Sequence, residues 1–288
     1  MCDRKPVGDI EDISLVRRFF DAVSHSMGNL SRDASHDDLA SQAHHELLEF
    51  KGYVHSVESL ACLEGPGNRF LAFWSGCKAR CTYCSNPDTW EITAGKETKV
   101  GELVEKVGRM VDFYRPNGGG VTVTGGEPLV QYKFWQRFCM RLNRYFGLHT
   151  CIETTGQGTR RAWDTVLPHT DLALVCLKHP KPEGYRFITV KKDLDTIPWW
   201  CRYVVIPEWT DKDEDLDALI EICKGSPMCK RLDLLPYHTL GVNKWEEMNL
   251  EYPMKDMQPP TKERMQYVAK RLRDGFAGTD IIVTGDDQ

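Results

Sequence analysis

The sequence predicts an α/β fold: a partial (βα)6 barrel of the TIM type with a short helical N-terminal extension. Three observations carry this prediction. From residue 52 onward, short apolar or β-branched runs alternate with helically spaced segments, the pattern of parallel βαβ units. Several runs are apolar on both faces, among them Leu172-Ala173-Leu174-Val175 and Val204-Val205-Ile206, as strands covered by helices require. Six such units fit within 288 residues as one barrel, and a doubly wound sheet is the other arrangement of the same alternation. In both, chemistry belongs at the C-terminal ends of the strands.

Residues 1–50 read as an extension, distinct from a core domain over residues 51–288. The extension is rich in acidic residues, unlike an organelle transit peptide, and has helical spacing over 13–23 and 38–50. It reads as helical or partly disordered, with a partner-docking arm as the functional alternative. Residues 69–75 form the first strand of the core, and 103–114 a helix with Leu103, Val107, Met110 and Val111 on one face. The β-branched run 120–124 is the second strand and stops at Gly125-Gly126. A helix over 134–146 ends at Gly147, a residue suited to closing a helix. Strand 149–155 follows, then a helix over 160–167 stopped by Pro168. Strands over 171–177, 200–206 and 231–237 complete the six. The helix over 213–223 carries acidic residues in its first turn, where they complement the helix dipole. A helix over 261–273 and a short edge strand over 281–283 close the chain.

Apolar residues make up 41% and charged residues 27%, which excludes disordered, collagen-like and disulfide-stapled classes. No run of about 18 apolar residues is present, so no membrane span is expected. A net charge of −5 argues against a sequence-independent nucleic-acid binder. The 11 cysteines are an odd number and follow no apolar secretory signal. A reducing compartment is expected: the cytoplasm, or an organelle if the chain is a processed form.

Cys77, Cys81 and Cys84 form a C-x3-C-x2-C motif just past the end of strand 69–75. With 11 cysteines in 288 residues this spacing has a chance expectation of about 0.01, so it carries information. Three readings compete. A structural zinc needs a fourth ligand from elsewhere. Unliganded buried thiols are the bland reading. A [4Fe–4S] cluster with three cysteine ligands and one open iron is the third.

The motif, with Tyr83 before its last cysteine, resembles the signature of the radical S-adenosylmethionine (SAM) superfamily. Further segments resemble its glycyl-radical-enzyme activases, of the pyruvate formate-lyase type. They are residues 52–59, Gly65-Pro66-Gly67-Asn68-Arg69-Phe70, Asn86-Pro87-Asp88-Thr89-Trp90, residues 118–129, and 234–241 with Lys244-Trp245. The resemblance covers about residues 52–275 and leaves out the first fifty.

It implies a [4Fe–4S] cluster on Cys77, Cys81 and Cys84, whose fourth iron chelates the amino and carboxylate groups of SAM. An electron from a low-potential donor such as flavodoxin or ferredoxin then releases methionine and a 5′-deoxyadenosyl radical. That radical takes a hydrogen atom from a glycine of a partner glycyl radical enzyme. By resemblance, Gly125-Gly126-Glu127 hold the SAM amino group. Paired glycines permit close backbone approach, and a carboxylate accepts from an ammonium group, although an ordinary glycine turn reads the same way. On this reading a branched residue at Gly126 fills ligand space and blocks SAM while leaving the cluster intact. Tyr83 and Ser85 are implied to lie against the adenine, where the family usually has His at the position of Ser85. Lys178 and His238 are implied in the same pocket, although a lone strand-end His is more often structural.

Several positions depart from the family pattern. Glu64 replaces an Asp, Glu153-Thr154 replaces an Asp-Thr pair that helps bind a monovalent cation near SAM, and Leu174 replaces a Met. Cys176 replaces an Asp, exchanging an acceptor carboxylate for a weak thiol donor. Glu153 is expected to take over part of that polar contact to SAM or the cation. The segment 179–198 is shorter than the family's. These departures keep two rivals open: a radical SAM enzyme acting on a different glycyl radical enzyme or peptide, and a degenerate cluster-binding regulatory protein.

Overall fold

The computed structural model describes residues 45–181 and 195–285. The expectations for residues 1–44 and for most of the shortened segment therefore lie outside the described residues. Six strands run parallel: β2 (Arg69–Trp74), β4 (Gly120–Gly125), β5 (His149–Thr154), β6 (Leu172–Cys176), β7 (Trp199–Val205) and β8 (Cys229–Pro236). These are the six strands expected, in sequence order across the sheet. Two antiparallel strands, β1 (Lys51–Ala61) and β3 (Lys96–Lys99), extend one edge, and β9 (Ile282–Thr284) the other. The full order is β3-β1-β2-β4-β5-β6-β7-β8-β9, so the barrel is partial and its two edges do not pair.

Alternation along the strands sorts their side chains between two environments. Ile152, Ala173, Val175, Cys201, Tyr203 and Val205 belong to the main apolar core. Side chains of the opposite parity, Cys151, Leu172, Leu174 and Trp200, pack as a separate apolar layer. Further along the same face stand Glu153, Cys176 and Arg202, close to the strand C-termini. The face therefore changes from apolar to polar as it approaches those ends.

The helices are α1 (Val100–Gly108), α2 (Val111–Tyr114), α3 (Tyr132–Phe146), α4 (Arg160–Val166), α5 (Asp213–Lys224), α6 (Val242–Glu247) and α7 (Lys262–Gly275). The single helix expected over 103–114 is two, because Met110 leaves helical geometry at φ −123°, ψ 9°. The bend accompanies burial of Tyr114, whose hydroxyl donates to the Ser59 carbonyl at 2.8 Å. α3 supplies the densest packing: Phe134, Trp135 and Phe138 all lie against Trp74 at the end of β2. Among the described residues no helix is long and apolar enough to cross a membrane.

At the opposite end of β2, Arg69 is fully buried. Its guanidinium donates to Thr122 Oγ1 at 2.6 Å, to the Pro66 and Val121 carbonyls at 2.8 Å each, and to the His149 carbonyl at 3.3 Å. Burial, followed by the Arg69 charge, pushes His149 down to about 4, so its ring is neutral near pH 7 and its Nδ1 can accept from Arg69. Replacing Arg69 by Met would leave several buried acceptors unpaired, each costing about 1–3 kcal/mol. Arg69→Met is expected to lower unfolding free energy by about 3 kcal/mol or more, read as a shift in urea midpoint at unchanged slope.

Candidate active site

The loop between Trp74 and Asn86 carries the three spaced cysteines and is fastened at both ends. At its start, Gly76 N–H donates to the Thr89 carbonyl at 2.7 Å and Cys77 N–H to the Trp90 carbonyl at 2.9 Å. Gln131 Nε2 donates to the Ser75 carbonyl at 2.9 Å. At its end, the Trp245 indole donates to the Cys84 carbonyl at 2.9 Å and meets Trp90 edge-on at 5.0 Å. Lys244 Nζ donates to Asn86 Oδ1 at 2.8 Å and pairs with Asp88 at 3.0 Å, while His55 of β1 reaches the same carboxylate at 3.1 Å. These contacts give Lys244-Trp245 and Asn86-Pro87-Asp88 a physical reason: they hold the loop.

Cys77, Cys81 and Cys84 are free and half-buried. Burial pushes the Cys77 thiol up to about 11 and raises that of Cys84, so both need a nearby cation to ionise near pH 7. Among the described residues, no three His, Cys, Asp or Glu side chains are gathered to hold a single metal ion. The thiols are neighbours on one loop without closing on one point. Cys139, Cys201, Cys223 and Cys229 are buried in the main core.

Beside the loop, at the C-terminal ends of the strands, lies a cavity of about 430 Å³. The loop contributes Cys81, Tyr83, Cys84 and Ser85 to its wall, and the turn after β4 contributes Gly125 and Gly126. Glu153 and Thr154 line it from β5, and Cys176 and Lys178 from the end of β6. His238, two residues beyond β8, completes this set. Lys178 Nζ stands 5.5 Å from the centre of the Tyr83 ring, a cation–π arrangement inside the cavity. The backs of Tyr83 and Cys84 rest on an apolar wall that includes Tyr237, Trp245, Tyr252 and Met254.

Of the residues expected at the site, Cys77 and Glu127 do not line the cavity, and Glu127 turns into the protein interior. Its side chain is buried, and its carboxylate accepts from Thr154 Oγ1 and Thr155 Oγ1 at 2.6 Å each, Thr155 N–H at 2.8 Å and Leu129 N–H at 3.1 Å. With its lone pairs committed, it ties the turn after β4 to the end of β5. The expectation for Gly126 also changes. A Cβ there would lie 2.5 Å from the Gly76 carbonyl oxygen and 3.1 Å from that of Thr89. A side chain meets the root of the cysteine loop before it fills ligand space.

Arg202 is the site residue that sequence reasoning missed. It lines the cavity from β7, and its Nη1 pairs with Glu153 Oε1 at 2.7 Å. The same carboxylate accepts from the Cys176 thiol at 3.2 Å and from Thr124 Oγ1 at 2.8 Å. Burial opposes ionisation of Glu153, but Arg202 and the two donors outweigh it and hold its carboxyl below the usual range. Burial, reinforced by Glu153, pushes Cys176 up to about 12 and keeps it a protonated donor. A signal was available: Arg202 is a lone charge in an apolar strand, two residues from Trp200 and Val204 and on their face.

A family model described as a 4Fe-4S single cluster domain matches residues 63–175. The pyruvate formate-lyase-activating enzyme of Clostridium pasteurianum is 39% identical over 234 residues, covering 77% of this chain and 98% of the relative. The chain belongs to the pyruvate formate-lyase-activating enzyme family. The relative of the same name from Listeria monocytogenes is 38% identical over 243 residues, covering 78% of this chain and 98% of that one. A solved radical SAM methyltransferase from Sphaerobacter thermophilus shares the fold, with TM-score 0.54 and 18% identity over 76% of this chain and 68% of that one. The family's cluster model begins just before the Gly-Pro-Gly turn and spans the cysteine loop and the turn after β4.

Gly126→Val is expected to displace the root of the cysteine loop. Iron analysis after anaerobic reconstitution should show most of the cluster lost, with near-native far-UV circular dichroism. Full iron content in that variant would mean that the Gly76 contact does not position the loop.

Proposed function

We propose that this chain activates a glycyl radical enzyme of the pyruvate formate-lyase type, using a [4Fe–4S] cluster on Cys77, Cys81 and Cys84 with SAM in the adjoining cavity. The observation that carries this reading is the meeting, at one strand-end cavity, of the cysteine loop, the Gly125-Gly126 turn, Lys178 and His238. Family membership supplies the reaction. When bound, the cluster and SAM supply one-electron cleavage of the sulfonium and a radical that removes a glycine hydrogen atom.

The residues divide the remaining work. The three thiolates hold the cluster, and the Trp245 bond to the Cys84 carbonyl fixes the loop that presents them. Backbone at Gly125 and Gly126, which lines the cavity, would hold the amino end of SAM, with Glu127 bracing the turn through Thr155. Tyr83 and Ser85 face the adenine. Lys178, held over Tyr83, would offer its ammonium to the SAM carboxylate or ribose, and His238 lines the same cavity. The apolar wall behind Tyr83 and Cys84 excludes water from the reactive centre.

Residues 51–288 form the radical SAM core on this reading, and residues 1–50 an extension to it. The electron donor is a low-potential protein of the flavodoxin or ferredoxin type, in a reducing compartment such as the cytoplasm. The net charge of −5 gives no basis for nucleic-acid binding.

Anaerobic protein with reductant and SAM is expected to form 5′-deoxyadenosine and, with a pyruvate formate-lyase-type partner, a glycyl radical visible by EPR. Cleavage of SAM without that radical would point to a different peptide substrate. No cleavage by cluster-loaded protein would leave a binding module. Lys178→Met is expected to weaken SAM binding about 10- to 150-fold, the worth of one charge-assisted hydrogen bond, with iron content unchanged.

A further inference from the structure

The resemblance assigns a monovalent cation to the pair at Glu153-Thr154, beside the departures at Leu174 and Cys176 on the neighbouring strand, and the side chains there do not fit one. A hard cation takes several oxygen ligands with free lone pairs. Glu153 commits Oε1 to Arg202 and Cys176 and half of Oε2 to Thr124, so a single acceptor site is left. The Thr154 hydroxyl donates to Glu127 at 2.6 Å and accepts from Gly156 N–H at 2.9 Å. The Leu174 side chain is buried in the apolar layer with Cys151 and Leu172. Cys176 presents a protonated thiol, a soft and weak ligand, where the family pattern has a carboxylate.

Charge balance points the same way. With two carboxylates at these positions and one guanidinium beside them, one negative charge is left for a metal ion to neutralise. With Cys176, a single carboxylate faces a single guanidinium at 2.7 Å, and the pair is neutral by itself. Glu64 and Lys178, one acid and one base, also line the cavity and offset each other in this balance. A second positive ion would also meet the Arg202 charge directly, at a few ångströms and with little water between them.

We propose that Arg202 is the fixed cation of this site, a positioning residue for Glu153, and that SAM binding by this protein is independent of sodium and potassium. The inference rests on the reading of the cavity as the SAM site. In turn, Cys176 is what makes the site self-sufficient: restoring a carboxylate there should restore a demand for a metal ion.

The test is calorimetric titration of SAM into cluster-loaded protein in choline, sodium and potassium chloride at equal ionic strength. Wild-type Kd values are expected to agree within about twofold across the three salts. Cys176→Asp is expected to bind SAM at least about tenfold more tightly with sodium or potassium than with choline. A tenfold salt-specific effect on the wild type overturns the proposal, and so does a folded, SAM-binding Cys176→Asp variant indifferent to the ion. Wild-type protein that binds SAM in none of the salts overturns the SAM reading itself, an outcome distinct from either. Arg202→Lys, which keeps the charge and loses the planar fork, should retain ion independence, whereas Arg202→Gln should lose SAM affinity in choline and recover part of it with sodium or potassium.

Discussion

An eight-residue loop with three thiols and almost no internal hydrogen bonding cannot hold its shape alone. Between Cys77 and Cys84 the backbone makes one bond to itself, Cys84 N–H to Cys81 O, and the Arg80 guanidinium donates to the Cys77 carbonyl, among the contacts of the described residues. Its shape comes from what grips it. Gly126 lies against its first residues, and a Cβ on Gly241 would come within 2.5 Å of the Ser85 carbonyl oxygen at its far end. The Trp245 indole and the Lys244 ammonium complete the grip. Two segments distant in sequence, the turn at Gly126 and the stretch from Gly241 to Trp245, are therefore shaped by the needs of one loop.

The barrel interior obeys a second constraint. Its apolar layer of Cys151, Leu172, Leu174 and Trp200 needs no partners, but the polar layer above it does. Glu153 accepts there from Arg202 Nη1, the Cys176 thiol and Thr124 Oγ1 at 2.7 to 3.2 Å, while Arg202 Nε finds no partner among the described residues. The exchange of one acid for a thiol is then not an isolated loss. A thiol can donate to Glu153 where an ionised acid could only repel it, so the substitution and the ion pair are compatible parts of one arrangement.

Much of this was legible in the sequence. The six parallel strands were readable because most are short apolar or β-branched runs, several of them apolar on both faces, bounded by glycine, proline or polar residues. β1 and β3 were not, since a partly wet antiparallel edge such as Lys51–Ala61 lacks a continuous apolar run. The cysteine loop, Lys178 and His238 were legible from spacing and strand-end position. What remained hidden depended on which way a side chain is committed. Glu127 reads as a ligand in any linear view, and only the proximity of Thr154 and Thr155 shows that its lone pairs are taken. Arg202 acquires meaning only once β5 and β7 are known to flank β6.

The loop grip has a consequence for how the molecule closes. The sheet is open, and its β1 and β8 sides are not hydrogen-bonded to each other. The contacts from Lys244 to Asn86 and from Trp245 to Cys84 cross that gap, joining residues 158 and 161 positions apart. Contacts of such long range carry a high loop-closure cost and form after local pairing. The gap is therefore the seam of the barrel, and the cysteine loop is its clasp. Fastening the clasp completes the wall of the cavity, so a change that opens the seam also loosens the cysteine loop.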